Sequence, residues 1–198
     1  MDKAAKPIVL ITGAAGNIGR SLAAALADGY RVVGLDQAGK KADFPLIGAD
    51  FTKEESVREA MAHFREEHGT RIASVIHLVA FFDFTGEDNP LYRSVNVEGT
   101  RHLLTALQDL EVEQFVYAST MLVHAPARPG QPIDESQPIG PRWAYPKSKA
   151  EAEQAIRDTH GKIPYVLLRL AGLYDETSSV PTLANQIARI HQRAVDRE

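Results

Sequence analysis

Short apolar runs alternate with longer amphipathic stretches along the whole chain. Runs rich in β-branched and aliphatic residues predict strands at Ile8–Ile11, Arg31–Leu35, Leu46–Ala49, Ser74–Val79, Gln114–Ala118 and Tyr165–Arg169. Between them, helical spacing predicts helices over Asn17–Asp28, Lys53–His68, Leu91–Leu110 and Ala144–His160. The third carries Leu91, Val95, Leu103, Leu104 and Leu107 near one stripe. A parallel strand pair needs a long crossover, and a helix usually supplies it. The alternation therefore predicts an α/β fold, a doubly wound parallel sheet with helices on both faces. The C-terminal ends of its strands share one edge, where ligand chemistry is to be sought.

With 198 residues the chain is expected to form one domain. Past the last strand, Leu183, Ile187, Ile190 and Ala194 fall at helical spacing behind Pro181, which predicts a further helix over 180–196. Composition narrows the function classes: 22 Lys+Arg against 26 Asp+Glu give a net charge of -4, with no long run of one sign. Neither nucleic acid nor an anionic membrane is an expected partner. The lack of cysteine excludes disulfides, thiolate metal sites and thiol nucleophiles. No apolar run reaches the roughly 18 residues of a membrane span, and Pro7–Ile11 is too short for a signal-peptide core, so a cytoplasmic protein is expected. His63 and His68 stand at i,i+5, about 140° apart on a helix, so they do not form a zinc helix motif, and no metal site is expected.

The first strand runs into Thr12-Gly13-Ala14-Ala15-Gly16-Asn17-Ile18-Gly19, where a helical pattern begins. A phosphate at such a junction needs a tight turn, close backbone approach and free helix N-terminal amides, and glycines allow all three. A P-loop does not fit, because Arg20 stands where that motif needs Lys and Ala14 where it needs the first Gly. Asp36 ends the second strand, seventeen residues beyond Gly19, close to the ~20 expected for an acid that binds a ribose 2′-hydroxyl. With Gln37 and Ala38 following and no adjacent Arg, the pattern favours NAD over NADP. Asp50 is a candidate for contacting adenine, or else a helix N-terminal acid before Lys53.

Tyr145 and Lys149 lie at i and i+4 and so share one face of a helix whose first turn tolerates Pro146. A free phenol titrates near ~10, and each unit of depression needs about 1.4 kcal/mol of preference for the phenolate. A nearby ammonium can supply it. Thr120, at the end of the fifth strand, can orient a substrate hydroxyl or cap a loop. The Pro- and Gly-rich stretch His124–Arg142 follows on the same edge. His77 and His124 are expected to be structural or loop residues. Phe81, Phe82, Phe84 and Tyr92 read as packing under a loop or as lining for a substrate pocket, with packing favoured, and Trp143 shares both readings.

Together these residues resemble the extended short-chain dehydrogenase/reductase family, in its NAD-dependent epimerase/dehydratase branch. The resemblance spans Ile8 to about Asp175. It rests on Thr12–Gly19, Asp36, Asp50, His77-Leu78-Val79-Ala80, Asn96-Val97-Glu98-Gly99-Thr100, Ser119-Thr120, Tyr145-x-x-x-Lys149 and Leu168-Arg169. It implies a Rossmann-type fold, NAD as cofactor and hydride transfer at a secondary alcohol carbon of a small molecule, a sugar or sugar nucleotide by family habit. Tyr145 is then the acid/base, Lys149 lowers its pKa and holds the nicotinamide ribose, Thr120 binds the reacting hydroxyl, and Asn96 completes the set structurally or through a water. The cofactor contacts implied are Gly13, Ala15, Gly16, Asn17, Ile18, Gly19, Asp36, Asp50, Phe51, Leu78, Val79 and Ala80, with Tyr145 and Lys149. A homodimer through Leu91–Leu110 and Ala144–His160 is implied as well. Two features depart from the family: Gly172 and Asp175 occupy places usually held by Asn and Gly, and members carry a C-terminal substrate-binding lobe beyond the point where this sequence stops. The 180–196 helix is expected to be the start of that lobe. A dinucleotide-binding sensor or truncated module without turnover is the alternative to an enzyme.

Overall fold

The computed structural model describes residues 6–83, 85–128, 130–173, 185 and 187–192. Its strands are β1 (Ile8–Thr12), β2 (Arg31–Asp36), β3 (Leu46–Gly48), β4 (Arg71–Ile72), β5 (Ser74–His77), β6 (Glu111–Val112), β7 (Phe115–Thr120) and β8 (Tyr165–Leu170). Six form one sheet in the order β3-β2-β1-β5-β7-β8, with every pairing parallel. The helices are α1 (Asn17–Leu26), α2 (Glu54–His68), α3 (Gly99–Leu107) and α4 (Ala144–Thr159).

Side-chain alternation along the strands makes the two faces. Leu10, Val33, Leu35, Val75, Phe115 and Tyr117 point to one face, where α2, α3 and α4 cover them with Val57, Phe64, Leu103, Leu107, Ala152 and Ile156. Val9, Ile11 and Val32 point to the other, against Ala23 of α1. This is the predicted Rossmann-type α/β sheet. On the α1 face the edge strand β8 keeps Val166 and Leu168 exposed, beside Tyr165 and Leu167, which pack into the core.

The strand order reverses between β1 and β5, so a crevice opens there at the C-terminal edge. Of the boundaries that differ from expectation, three have local reasons. The strand expected to reach Val79 stops at His77, because the Leu78 amide turns to the Thr12 carbonyl and hydroxyl. β7 continues two residues further than expected, through Thr120, since β8 pairs with it over its full length. The third helix is not uniform: Tyr92–Glu98 winds as a π-helix before α3 begins. The wider turn splits the expected stripe, so Leu103, Leu104 and Leu107 enter the core while Leu91 and Val95 line the crevice. The two-residue strands β4 and β6, which pair with each other, were not foreseen. Residues 187–192 are helical with Ile187 and Ile190 exposed; Leu183 and Ala194 lie outside the described residues.

Candidate active site

Gly13 turns the chain off β1 with φ 70, a left-handed conformation that glycine adopts without strain. A Cβ there would stand 3.1 Å from the Val79 amide, so its absence lets the loops after β1 and β5 close on each other. At Gly19 a Cβ would lie 2.6 Å from the Gly13 and Ala14 carbonyl oxygens, so α1 can seat on the loop only with glycine there. The start of α1 has no side-chain cap and no acid in its first turn, which leaves its amides and its positive end for an anion.

Asp36 fixes this loop. One carboxylate oxygen accepts from the Ala15 amide and the other from the Gln37 amide, both at 2.8 Å. Each oxygen retains a lone pair for a ribose hydroxyl. A cleft of about 420 Å³ opens beside it, lined by Gly13, Ala15, Gly16, Asp36, Asp50, Phe51, Leu78, Val79 and Ala80. These nine residues were all expected to meet the cofactor. Asn17 and Ile18 are exposed at the start of α1, Gly19 is buried behind the loop, and none of the three lines the cleft. The cleft also takes in Gln37, Lys40, Thr52, Leu91 and Val95, none of which the sequence reading gave as a cofactor contact. Asp50 serves both readings: its carboxylate accepts from the Thr52 amide and hydroxyl and pairs with Lys53 at 3.1 Å, yet it borders the cleft. The Thr52 hydroxyl, first among several contacts, holds its pKa below the usual carboxylate range.

The remaining candidates come from β7 and α4, which pack together. Thr120 ends β7, and its hydroxyl accepts from the Leu122 amide at 3.3 Å, so the capping reading holds while the group stays at the strand edge. Tyr145 and Lys149 share one face of α4 as the spacing predicts. Their electrostatics differ from expectation. Burial, with the neighbouring Tyr92 adding to it, pushes the Tyr145 phenol up. The Lys149 ammonium instead sits 4.2 Å from the centroid of the buried Tyr117 ring, and burial brings its own pKa down to about 7.

Asn96, carried by the π-helical turn, is fully buried. Its amide nitrogen donates to the Phe81 carbonyl and the Ser148 hydroxyl, and its oxygen accepts from the Phe81 amide at 2.6 Å. Ser148 donates in turn to the Tyr145 carbonyl, so Asn96 ties the loop after β5 to the first turn of α4. Phe81 and Tyr92 pack edge to face at 4.9 Å, but Phe82 is 43% exposed and meets the Tyr145 ring at 4.7 Å. The expectation of packing under a loop therefore fails at Phe82; Phe84 lies outside the described residues.

Glu153 was missed, although it lies four residues beyond Lys149 and hence on the same helical face. It is buried and accepts from Ser119 at 2.6 Å and from Arg169 at 2.7 and 3.0 Å. Burial would raise its pKa, but the Arg169 and Ser119 hydrogen bonds outweigh it and hold the carboxyl below its ordinary value. Arg169 also donates to His124 Nε2, while His124 Nδ1 donates to the Gln137 carbonyl, pinning the His124–Arg142 loop to the end of β8. His124 is structural, as expected.

A parallel sheet with a glycine-rich turn and an acid at its switch point, and a Tyr-x-x-x-Lys helix on the same edge, defines a Rossmann protein of the short-chain dehydrogenase/reductase type. The sequence pattern of the NAD dependent epimerase/dehydratase family matches residues 9–198, and the chain belongs to that family. It is 31% identical over 94% of its length to a Stigmatella aurantiaca protein named 4-hydroxy-2-methyl-3-oxo-4-farnesyl-3,4-dihydroquinoline-1-oxide ketoreductase, and covers 57% of that protein. It is 30% identical over 91% of its length to the Escherichia coli O157:H7 N-acetyl-alpha-D-glucosaminyl-diphospho-ditrans,octacis-undecaprenol 4-epimerase, covering 54% of it. Among solved structures, the UDP-glucose 4-epimerase of Thermus thermophilus in complex with NAD superposes with a TM-score of 0.74 at 29% identity, over 87% of this chain and 57% of that one. The chain thus spans a little over half the length of these relatives. No helix among the described residues is long and apolar enough to cross a membrane.

Proposed function

We propose that the protein binds NAD in the cleft beside Asp36 and carries out hydride transfer at a secondary alcohol carbon or its ketone. The observation that supports this best is the convergence, on one sheet edge, of the cleft lined by the glycine loop with the Thr120 end of β7 and the Tyr145/Lys149 face of α4. Gly13, Ala15 and Gly16 would lie along the pyrophosphate, Asp36 would accept from the ribose hydroxyls, and Leu78, Val79 and Ala80 would close the cleft from the β5 side. NAD, when bound, supplies the hydride acceptor. Thr120 holds the substrate hydroxyl, Tyr145 takes or gives its proton, and Lys149 holds the nicotinamide ribose. The relatives' names give sugar-linked substrates in two cases and a farnesyl-bearing dihydroquinoline oxide in the third, so the substrate class at this level is a cyclic alcohol or ketone.

Calorimetric titration with NAD+ and NADP+ tests the cofactor step: NAD+ is expected to bind, Asp36→Ala to weaken it at least ten-fold, and NADP+ to bind poorly. Tyr145→Phe is expected to retain NAD+ affinity and to lose about 10²–10⁴-fold in turnover, the usual range for a general acid/base. Full turnover in that variant would sink the acid/base assignment, and cofactor binding without turnover on any alcohol would turn the reading to a sensor. A homodimer through α3 and α4 belongs to the same proposal. Sedimentation should then show twice the monomer mass at micromolar concentration, and a monomer at all concentrations would reject it.

A further inference from the structure

Glu153 is a buried charge that the hydride-transfer steps do not use. It stands four residues beyond Lys149 on the same face of α4. One carboxylate oxygen accepts from the Ser119 hydroxyl at 2.6 Å and from Arg169 Nε at 3.0 Å; the other accepts from Arg169 Nη2 at 2.7 Å and from Arg157 at 3.3 Å. Ser119 and Arg169 are register partners on β7 and β8, so their side chains share the sheet face that α4 covers. A forked arginine and a hydroxyl fix where a carboxylate lies as well as its charge. The strand end tied down in this way is the one that carries Thr120.

Lys149 is buried and so has lost its hydration. Tyr117 on β7 offers it a neutral ring, and His77 on β5 is neutral as well. Tyr145 on α4 and Tyr92 on the π-helical turn are phenols whose rings lie 6.3 Å apart. Among the described residues, the buried side chains of α3 and of the turn after β7, both packed against α4, carry no charge. Arg169 and Arg157 are paired to Glu153. Burial lowers the Lys149 pKa and the Glu153 carboxylate opposes it, at a pH where Glu153 itself is ionised. An opposite charge favours the charged form of a buried group, and most strongly where water does not screen it.

We propose that Glu153 is a positioning residue of the reacting edge: anchored by Ser119 and Arg169, its charge keeps Lys149 an ammonium, able to donate to the ribose it would hold. The proposal rests on the hydride-transfer reading for the task of Lys149, and goes beyond it in naming what keeps that lysine charged.

The experiment follows Lys149 directly, by NMR of cofactor-free protein labelled with carbon-13 and nitrogen-15 in its lysines. The pH titration of the Cε and Nζ resonances gives the midpoint, and the signal is assigned by its loss in Lys149→Met. The wild-type midpoint is expected at about 7. In Glu153→Gln it should fall by about one pH unit. A purely structural role predicts the opposite sign, since a loosened α4 lets water reach the lysine and raises its midpoint toward the ordinary 10.5. Glu153→Asp keeps the charge on a shorter arm and should recover most of the fall. In the double variant Glu153→Gln/Arg169→Met both members of the ion pair are gone, so the fold has no unpaired guanidinium to bury, and a fall there belongs to Glu153 alone. This variant also carries the test if Glu153→Gln does not fold. A midpoint unchanged or raised in the folded Gln variants overturns the proposal, as does an Asp variant that falls as far as Gln. Calorimetry with NAD+ on the same samples separates the two levels. If NAD+ binds and the midpoint does not move, the role of Glu153 falls and the cofactor reading stands. If NAD+ does not bind and the midpoint still falls in Glu153→Gln, the cofactor reading fails while the hold of Glu153 on Lys149 is supported.

Discussion

Tyr117 meets two opposite demands with one side chain. Its ring face stabilises the buried Lys149 ammonium, a contact worth about 2 kcal/mol when desolvated, while its hydroxyl is buried with no hydrogen-bond partner among the described residues. Burial, with Tyr145 and Glu153 adding to it, drives that phenol's pKa well above its ordinary value, so it stays neutral at every physiological pH. The two halves can be separated by substitution. Tyr117→Phe keeps the ring and removes the unsatisfied hydroxyl, and is expected to be neutral or to stabilise by about 1 kcal/mol in urea unfolding. Tyr117→Leu removes the cation's support and leaves a void, at a cost of roughly 2 kcal/mol or more. If Phe and Leu destabilise equally, the ring does not hold Lys149. Neither partner's role was legible in the sequence: Tyr117 looks like any inward strand residue, and only the stacking of β7 under α4 brings the ammonium over it.

At the scale of elements, a buried hydrogen-bond chain links β1, β5, α3 and the π-helical turn. The Leu78 amide donates to the Thr12 hydroxyl, which lies 2.6 Å from His77 Nδ1; His77 Nε2 lies 3.0 Å from the Thr100 hydroxyl, which donates to the Asn96 carbonyl. The Thr100 proton is spent on Asn96, so at His77 that hydroxyl must accept, and Nε2 must carry the imidazole proton. Nδ1 then accepts from Thr12, and a single tautomer satisfies every member of the chain. Burial, with the Lys149 charge adding to it, lowers the His77 pKa to about 3 and keeps the ring neutral. Nitrogen-15 NMR of the imidazole should therefore show the Nε2–H form unchanged from pH 5 to 8, and a ring that titrates near its ordinary value would refute the chain. The strands and the glycine loop were legible because their signals are local: apolar runs, glycine spacing, and an acid at a strand end. The π-helical turn was not, because what it accomplishes is to bring Asn96 to Phe81 and Ser148, fifteen and fifty-two residues away. For the same reason His77 was rightly read as structural while its partners stayed hidden.

Among the described residues of the whole molecule, His77, Lys149 and Glu153 are buried titratable groups whose shifts act in the same direction on stability. His77 is held near 3 against an ordinary 6.5, Lys149 near 7 against 10.5, and Glu153 below its ordinary 4.5. In each case the unfolded chain binds a proton that the folded chain lacks between the two values, so stability rises with pH across each window. Glu153 and His77 make the protein lose stability as pH falls from about 6.5 through the acid range. Lys149 acts above neutrality: its buried ammonium opposes folding at pH 7, and that penalty fades toward pH 10.5 as the unfolded lysine also loses its proton. The cofactor-free protein is thus expected to be more stable at pH 9 than at pH 7, against the usual optimum between about 5 and 8. At ~1.4 kcal/mol per pH unit for one group, Lys149 accounts for about 2 kcal/mol over that interval. Urea unfolding of wild type and Lys149→Met at the two pH values isolates this contribution, since groups elsewhere cancel in the difference. A wild-type advantage that grows by about 2 kcal/mol from pH 7 to 9 would confirm that the lysine is buried at the edge of its charged state. A difference independent of pH would mean that Glu153 and the Tyr117 ring hold the ammonium fully charged, which would make Lys149 a fixed cation rather than one that can release its proton near neutrality.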